Sequence, residues 1–214
     1  NNLPNQFFYS KKEDRLNVLS HGIGLILSII GLVLLINKGL QNFDLTYFMS
    51  LLIYGLSLST MYIASTLYHN SKTAKSRYNL RMFDMISIYI LIAGSYTPFT
   101  LILLKDNQGW LLFTIIWLLA FFGIAWKVFT VGKYNLVTTS LYIFMGGLWL
   151  FFYESFVSQI PSDALWWITA GCFTYLAGVI FYLLDNKLKY NHFIWHLFVL
   201  AASGCHYISI YFYI

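Results

Sequence analysis

Trp110 to Phe129 reads WLLFTIIWLLAFFGIAWKVF, twenty residues in which Lys127 is the one charged side chain. A helix of about 20 apolar residues is long enough to cross the hydrocarbon core of a bilayer. Six further apolar runs of comparable length occur, with short polar connectors between them. These runs are Asn17 to Ile36, Tyr47 to Tyr68, Met82 to Leu104, Leu136 to Tyr153, Leu165 to Leu184 and Phe193 to Ile214. The pattern predicts an all-α fold, a bundle of seven transmembrane helices.

The composition agrees with an integral membrane protein. Of 214 residues, 59% are hydrophobic and 10% are charged, whereas an average soluble domain has about 25% charged residues. Seven spans leave no room for a second folded module, so we expect residues 1–214 to form a single membrane domain. The net charge of +5 does not indicate a nucleic-acid partner, because Lys and Arg lie between the apolar runs. Cys172 and Cys205 fall inside apolar runs and predict no disulfide framework.

The distribution of positive charge predicts the direction of the bundle. Assigning alternate connectors to opposite sides puts eleven Lys and Arg residues on one side and only Lys38 and Lys105 on the other. Positive residues concentrate in cytoplasmic loops. We therefore expect the N-terminus in the cytoplasm and the C-terminus outside, the reverse of receptors coupled to G proteins. Within the spans, we expect Pro98 to kink the third helix, and Gly146 and Gly147 to allow close helix approach in the fifth.

With direction assigned, several polar residues fall in one layer at the cytoplasmic end. Four of the five histidines and one aspartate belong to it. Polar groups within spans are costly and by default indicate a site or pathway. The members of the layer are His21 in the first span, Ser65 and His69 in the second, Asp84 in the third, and His192 and His196 in the seventh.

The histidine spacing predicts a metal site. His192 and His196 are four residues apart and project from one helix face, and His69 can supply a third nitrogen from a facing helix. Three such ligands are usual in open catalytic zinc sites, although imidazole ligands also admit copper, iron or nickel. Any one of these histidines, taken alone, would suit an interfacial residue with a hydrogen-bonded partner. His206, ten residues beyond His196 and ~15 Å along the helix, cannot share the metal, and we expect it to be packed or hydrogen-bonded.

The ordered motifs resemble those of a known family. They are Asn17-Val-Leu-Ser-His21-Gly-Ile-Gly, Ser65-Thr-Leu-Tyr-His69, Asp84 after a basic loop, and His192-Phe-Ile-Trp-His196. Together they resemble the hemolysin III family, the bacterial branch of the progestin and adipoQ (adiponectin) receptor family, related more widely to alkaline ceramidases. The resemblance covers the whole chain. It implies seven helices in a cell membrane, the bacterial cytoplasmic membrane, and zinc held by His69, His192 and His196.

The resemblance also places Ser65 and Asp84 beside the metal, and an acidic residue shortly before Asn17, for which Glu13 and Asp14 both qualify. Our leading hypothesis is a zinc-dependent hydrolase of a lipid amide or ester, with a membrane lipid as substrate or ligand. Asp84 would accept a proton or orient a ligand, and Ser65 would hydrogen-bond the reacting groups. One alternative is a receptor or membrane-homeostasis sensor stapled by zinc, with Asp84 as fourth ligand. The other is a cytolysin or pore former, although the intramembrane charges cluster at one end.

Overall fold

A computed structural model describes residues 9–104, 107–131, 133–185, 187 and 189–214. Within this part of the chain the structure is all helical, without a strand. The α-helices are α1 (Lys11–Leu40), α2 (Leu45–Asn70), α3 (Ala74–Pro98), α4 (Asn107–Phe129), α5 (Asn135–Gly146), α6 (Tyr153–Gln159), α7 (Ser162–Leu183) and α8 (Asn191–Tyr213).

The seven predicted spans are confirmed as seven helical segments long and apolar enough to cross a membrane. A π-helical turn, Phe99–Leu103, extends α3, and α5 and α6 together with an intervening 3-10 helix, Leu148–Phe152, form the fifth segment. The second and third segments are the most enclosed. In their apolar stretches 61% of the residues are buried, against 22% in the fifth and sixth segments. α2 and the α3 segment therefore form the centre of the bundle.

The first span begins at Lys11, six residues before the predicted boundary at Asn17. A reciprocal cap explains the extension: the Glu13 amide donates to the Ser10 hydroxyl at 3.3 Å, and the Ser10 amide donates to the Glu13 carboxylate at 3.2 Å. Such a capping box satisfies amide groups that a helix start leaves unpaired. The added turn brings Asp14 onto the same helix as Asn17.

The regular α-helix of the third span ends at Pro98, where the π-helical turn begins. The turn is an irregularity directly after the proline, and the kink itself stays a prediction. In the fifth span, by contrast, the expectation of close helix approach at the glycine pair is wrong. A Cβ atom added to Gly146 would meet no heavy atom within 4 Å, and α5 ends at that residue.

α1 and α8 lie side by side and run in the same direction. The Tyr207 hydroxyl on α8 donates to the carbonyl oxygen of Gly31, in the second half of α1, at 3.0 Å. We call the end where α1, α3 and α8 begin the amino-terminal end of the bundle. It holds the eleven Lys and Arg residues of the charge-rich side. Lys105, assigned to the other side, lies outside the described residues, and the direction across the membrane stays a prediction.

Candidate metal centre

Three buried histidines meet at the amino-terminal end of the bundle. His69 comes from the last turn of α2, and His192 and His196 from the first turns of α8. One nitrogen from each lies within 4.8 Å of the others, and the Nε2 atoms of His69 and His192 are 3.2 Å apart. Among the described residues this is the one group of histidine, cysteine and carboxylate side chains that could hold a metal ion.

His69 is oriented by a carboxylate on α1. Its Nδ1 lies 3.2 Å from Oδ1 of Asp14, and the same oxygen accepts a 2.7 Å hydrogen bond from Nη2 of Arg77. Arg77 is 1% exposed, and its Nη1 also donates to the His69 carbonyl oxygen at 3.2 Å. The buried positive charge is thus paired with Asp14 and tied to the helix end that carries His69.

His192 is oriented by residues just outside the spans. Tyr9 donates to Oδ2 of Asp185 at 2.6 Å, and both Tyr9 Oη (3.0 Å) and Asp185 Oδ2 (3.2 Å) lie within reach of His192 Nδ1. The Tyr9 ring stacks on the His192 ring, with centroids 4.7 Å apart. Burial raises the pKa of the Tyr9 phenol well above its usual value, so the phenol keeps the proton that it donates. Burial alone would raise the pKa of Asp185, but the hydrogen bonds with His192 and Tyr9 and the attraction of His192 outweigh it, and the pKa is lowered.

His196 is oriented by α1. Its Nδ1 lies 3.1 Å from the Ser20 hydroxyl oxygen, and its ring stacks on the His21 ring at 3.5 Å between centroids. In all three candidate ligands Nδ1 therefore contacts a neighbouring side chain. The other ring nitrogen, Nε2, is left to bind a metal ion between the three histidines. Metal-binding histidines characteristically have the second ring nitrogen held in this way.

One nitrogen–nitrogen distance in this donor set matches that of a tetrahedral zinc site. Zinc–nitrogen bonds of about 2.0–2.1 Å in a tetrahedral arrangement put two ligand nitrogens about 3.3–3.4 Å apart. The separation of the His69 and His192 Nε2 atoms is 3.2 Å. A buried group of three histidines can thus hold a metal ion, and the chemistry of its ligands also suits copper, iron or nickel.

Ser65 and Asp84 are brought together beside this group. Ser65 lies one turn before His69 on the same face of α2, and its hydroxyl interacts with the carboxylate of Asp84 on α3. Asp84 does not join the described group of potential ligands, which consists of the three histidines. The Asp84 carboxylate therefore lies near the Ser65 hydroxyl at the edge of the centre.

The two acidic residues before Asn17 have different partners. Asp14 contacts His69, whereas Oε1 of Glu13 accepts a 2.7 Å hydrogen bond from the Tyr190 amide at the start of α8. Of these two residues, Asp14 is therefore the one that contacts a candidate metal ligand. His206, as expected, lies outside the three-histidine group and contacts the Ile168 carbonyl oxygen at 3.3 Å.

Comparison with known proteins agrees with these motifs. The family model described as "Haemolysin-III related" matches residues 9–207. The chain belongs to the haemolysin III family. The resemblance inferred from the sequence motifs is thereby confirmed, and with the seven apolar helices it identifies a multi-pass membrane protein.

Two Bacillus members of the haemolysin III family match over almost their whole length. Hemolysin-3 of Bacillus cereus is 38% identical over 203 residues, 95% of this chain and 92% of that protein. The Hemolysin-3 homolog of Bacillus subtilis (strain 168) is 36% identical over 205 residues, 96% of each chain. A more distant relative, the monocyte to macrophage differentiation factor of Homo sapiens, is 32% identical over 173 residues, 76% of this chain and 69% of that protein.

Proposed function

We propose that this haemolysin III protein is a zinc-dependent hydrolase that cleaves an amide or ester bond of a membrane lipid. The observation that carries the proposal is the donor set: three buried histidines converge, and the Asp84 carboxylate beside them is not part of the set. Catalytic zinc typically has three protein ligands and an open fourth position. The pair Ser65 and Asp84 would act on a substrate bound at that position.

The roles of the side chains follow from their chemistry. A zinc ion bound by the three histidines would polarise a carbonyl group and lower the pKa of water to about 7. Asp84, an acceptor of protons and hydrogen bonds, would take up the proton released during hydrolysis and return it to the leaving group. Ser65, whose hydroxyl can both donate and accept, would hydrogen-bond the reacting oxygen. Asp14, Tyr9 and Ser20 would keep the three imidazoles in register.

The depth of the centre favours a lipid substrate. His69 lies in the last turn of α2 and His192 in the first turn of α8, so the group sits near one membrane surface. Lipid carbonyl groups lie at that depth, between the acyl chains and the headgroups. A lipid could therefore present its scissile bond from within the bilayer.

A zinc staple without catalysis is less well supported. Structural zinc is normally closed by four protein ligands, and in the described part of the chain three side chains form the group. Pore formation has little support either, because the buried Arg77 and Lys127 both lie towards the amino-terminal end. Hydrolysis of membrane lipids would itself damage membranes, in keeping with the name Hemolysin-3 of the Bacillus relatives.

The test is product release from defined lipids by purified protein in nanodiscs. Ceramides and other acyl amides would be compared with phospholipid esters, with added zinc and with a chelator, by mass spectrometry. We expect zinc-dependent product from one class, and a loss of at least about 100-fold in Asp84→Asn, since general acid–base catalysis contributes about 10²–10⁴-fold. His192→Ala should be inactive and His206→Ala active. Absence of zinc-dependent product from every lipid class would refute the proposal.

A further inference from the structure

α1 presents three polar side chains to the metal centre within little more than one turn. Asn17 Nδ2 lies 3.4 Å from Nδ1 of His69, and the Ser20 hydroxyl oxygen lies 3.1 Å from Nδ1 of His196. The third side chain, His21, does not contact a ligand nitrogen in this way. Its Nδ1 lies 2.7 Å from the hydroxyl oxygen of Ser65 on α2.

The His21 ring is held on two sides. One face lies against His196, with ring centroids 3.5 Å apart and an angle of 11° between the planes. The ring of Tyr62 packs at 88° with centroids 5.1 Å apart. His21 is 3% exposed. The packing leaves the ring little freedom to rotate, so Nδ1 is directed at Ser65.

The direction of the hydrogen bonds follows from the protons available. A serine hydroxyl has one proton to donate, and an ionised carboxylate can only accept. When Ser65 donates to the Asp84 carboxylate, its oxygen must accept the hydrogen bond with His21. His21 is then the tautomer that carries the proton on Nδ1, and Asp84, Ser65 and His21 form one continuous chain.

We propose that His21 is a positioning residue for the hydrolytic reaction, holding the Ser65 hydroxyl so that its proton points to Asp84. The inference rests on the proposed function and extends it to α1, which supplies none of the three candidate metal ligands. Without the Nδ1–H donor, the Ser65 hydroxyl could rotate among its staggered positions and would be oriented towards Asp84 only part of the time. His21 thus acts through Ser65.

Kinetics of two substitutions test this role. His21→Leu removes the donor, whereas His21→Asn keeps an N–H group near the position of Nδ1. We expect His21→Leu to lower kcat about tenfold, the value of one well-oriented hydrogen bond, with KM changed less than twofold. His21→Asn should recover most of kcat. His206→Asn, a buried histidine away from the centre, is the matched control and should keep wild-type kcat.

Metal content shows whether His21 orients Ser65 or instead supports metal binding. Elemental analysis should find the same metal per chain in wild type, His21→Leu and His21→Asn. Loss of metal in His21→Leu comparable to that in His196→Ala would overturn the proposal, because His21 would then act on the ligand that it stacks against. Unchanged kcat in His21→Leu, or no recovery in His21→Asn, would overturn it as well.

A thermal double-mutant cycle provides a measurement that does not need activity. His21→Leu, Ser65→Ala and the double variant would be compared with wild type. Residues in direct contact give non-additive effects, so we expect the double variant to lower Tm no more than the larger of the single changes. Additive shifts in Tm would overturn the His21–Ser65 bond. If no lipid is hydrolysed, the proposed function fails, and this cycle alone decides whether His21 orients Ser65.

Discussion

One carboxylate oxygen of Asp14 contacts both the His69 imidazole and the Arg77 guanidinium group. Oδ1 lies 3.2 Å from Nδ1 of His69 and 2.7 Å from Nη2 of Arg77. Arg77 is buried and always charged, so Asp14 offsets a positive charge that would otherwise repel a metal cation. The same contact fixes the tautomer of His69 with its free nitrogen towards the other histidines. Asp14 is therefore expected to affect metal binding without being a ligand.

Asp14→Asn should weaken metal binding about 10–100-fold, the usual effect of removing a partner that orients a ligating histidine. The amide is close in shape to the carboxylate but loses the charge. Competition with a fluorescent zinc chelator would measure the change in Kd. Asp163→Asn, at an exposed position in the first turn of α7, is the control and should bind as wild type. Equal affinity in both variants would contradict the role of Asp14.

His69→Ala and His196→Ala should each remove most of the bound metal, because each takes one of three ligands from the group. His206→Ala should retain it, since His206 bonds with the Ile168 carbonyl oxygen instead. Elemental analysis of the purified proteins would measure metal per chain. Equal metal in all three variants would rule out the three-histidine centre.

At the residue scale, sequence reasoning found residues related by helical spacing and depth. His192 and His196 are one turn apart, and the direction of the spans brings His69 to the same layer. Tyr9 and Asp185 could not be found in this way. Tyr9 is 183 positions from His192 and 176 from Asp185, and both residues fall in polar stretches that resemble solvated loops. Only the fold shows that Tyr9 and Asp185 contact His192.

A hydroxyl from a neighbouring helix compensates for the break in the fifth span. The Tyr96 hydroxyl oxygen lies 3.0 Å from the carbonyl oxygens of both Met145 and Gly146, and it accepts a 3.2 Å hydrogen bond from the Trp149 amide. Backbone groups that a helix break leaves unpaired have no water to bond with inside a bilayer. Tyr96 supplies the missing partners from α3, which allows α5 to end at membrane depth.

Tyr96→Phe should therefore destabilise the fold by about 1–3 kcal/mol, the cost of leaving buried polar groups unsatisfied. The ring is kept and only the hydroxyl is lost. Thermal unfolding in detergent would show a lower midpoint. Tyr153→Phe makes the same chemical change at a side chain that is 55% exposed and should leave the midpoint nearly unchanged. Identical midpoints would mean that the break does not depend on Tyr96.

At the element scale, hydropathy predicted the number and order of the spans because each crossing requires about 20 apolar residues. It did not predict the interruption of the fifth span. The run from Leu136 to Tyr153 carries no charge, and a glycine pair is compatible both with close packing and with a helix end. Whether the glycine pair packs closely or ends the helix depends on Tyr96, some 50 positions away. Its hydroxyl hydrogen-bonds the backbone at the helix end.

For the whole molecule, we expect the N-terminus in the cytoplasm, and cysteine labelling of two loops tests this direction. Two neighbouring loops lie at opposite ends of the bundle, with Asn42 between α1 and α2 and Lys72 between α2 and α3, both exposed. In a background without Cys172 and Cys205, Asn42→Cys should react with a membrane-impermeant maleimide in intact cells. Lys72→Cys should react only after permeabilisation, because positive loops stay in the cytoplasm. The opposite pattern would reverse the orientation.

The contacts between α1 and α8 also bear on the order in which the protein is made. Ser20 and His196 are 176 positions apart, and Glu13 and Tyr190 are 177 apart. Chains emerge from the ribosome amino terminus first, so α1 enters the membrane long before its partners on α8 exist. The metal centre can be completed only after α8 is inserted. Metal capture would therefore report the insertion of α8, and nascent chains truncated before α8 should be without metal.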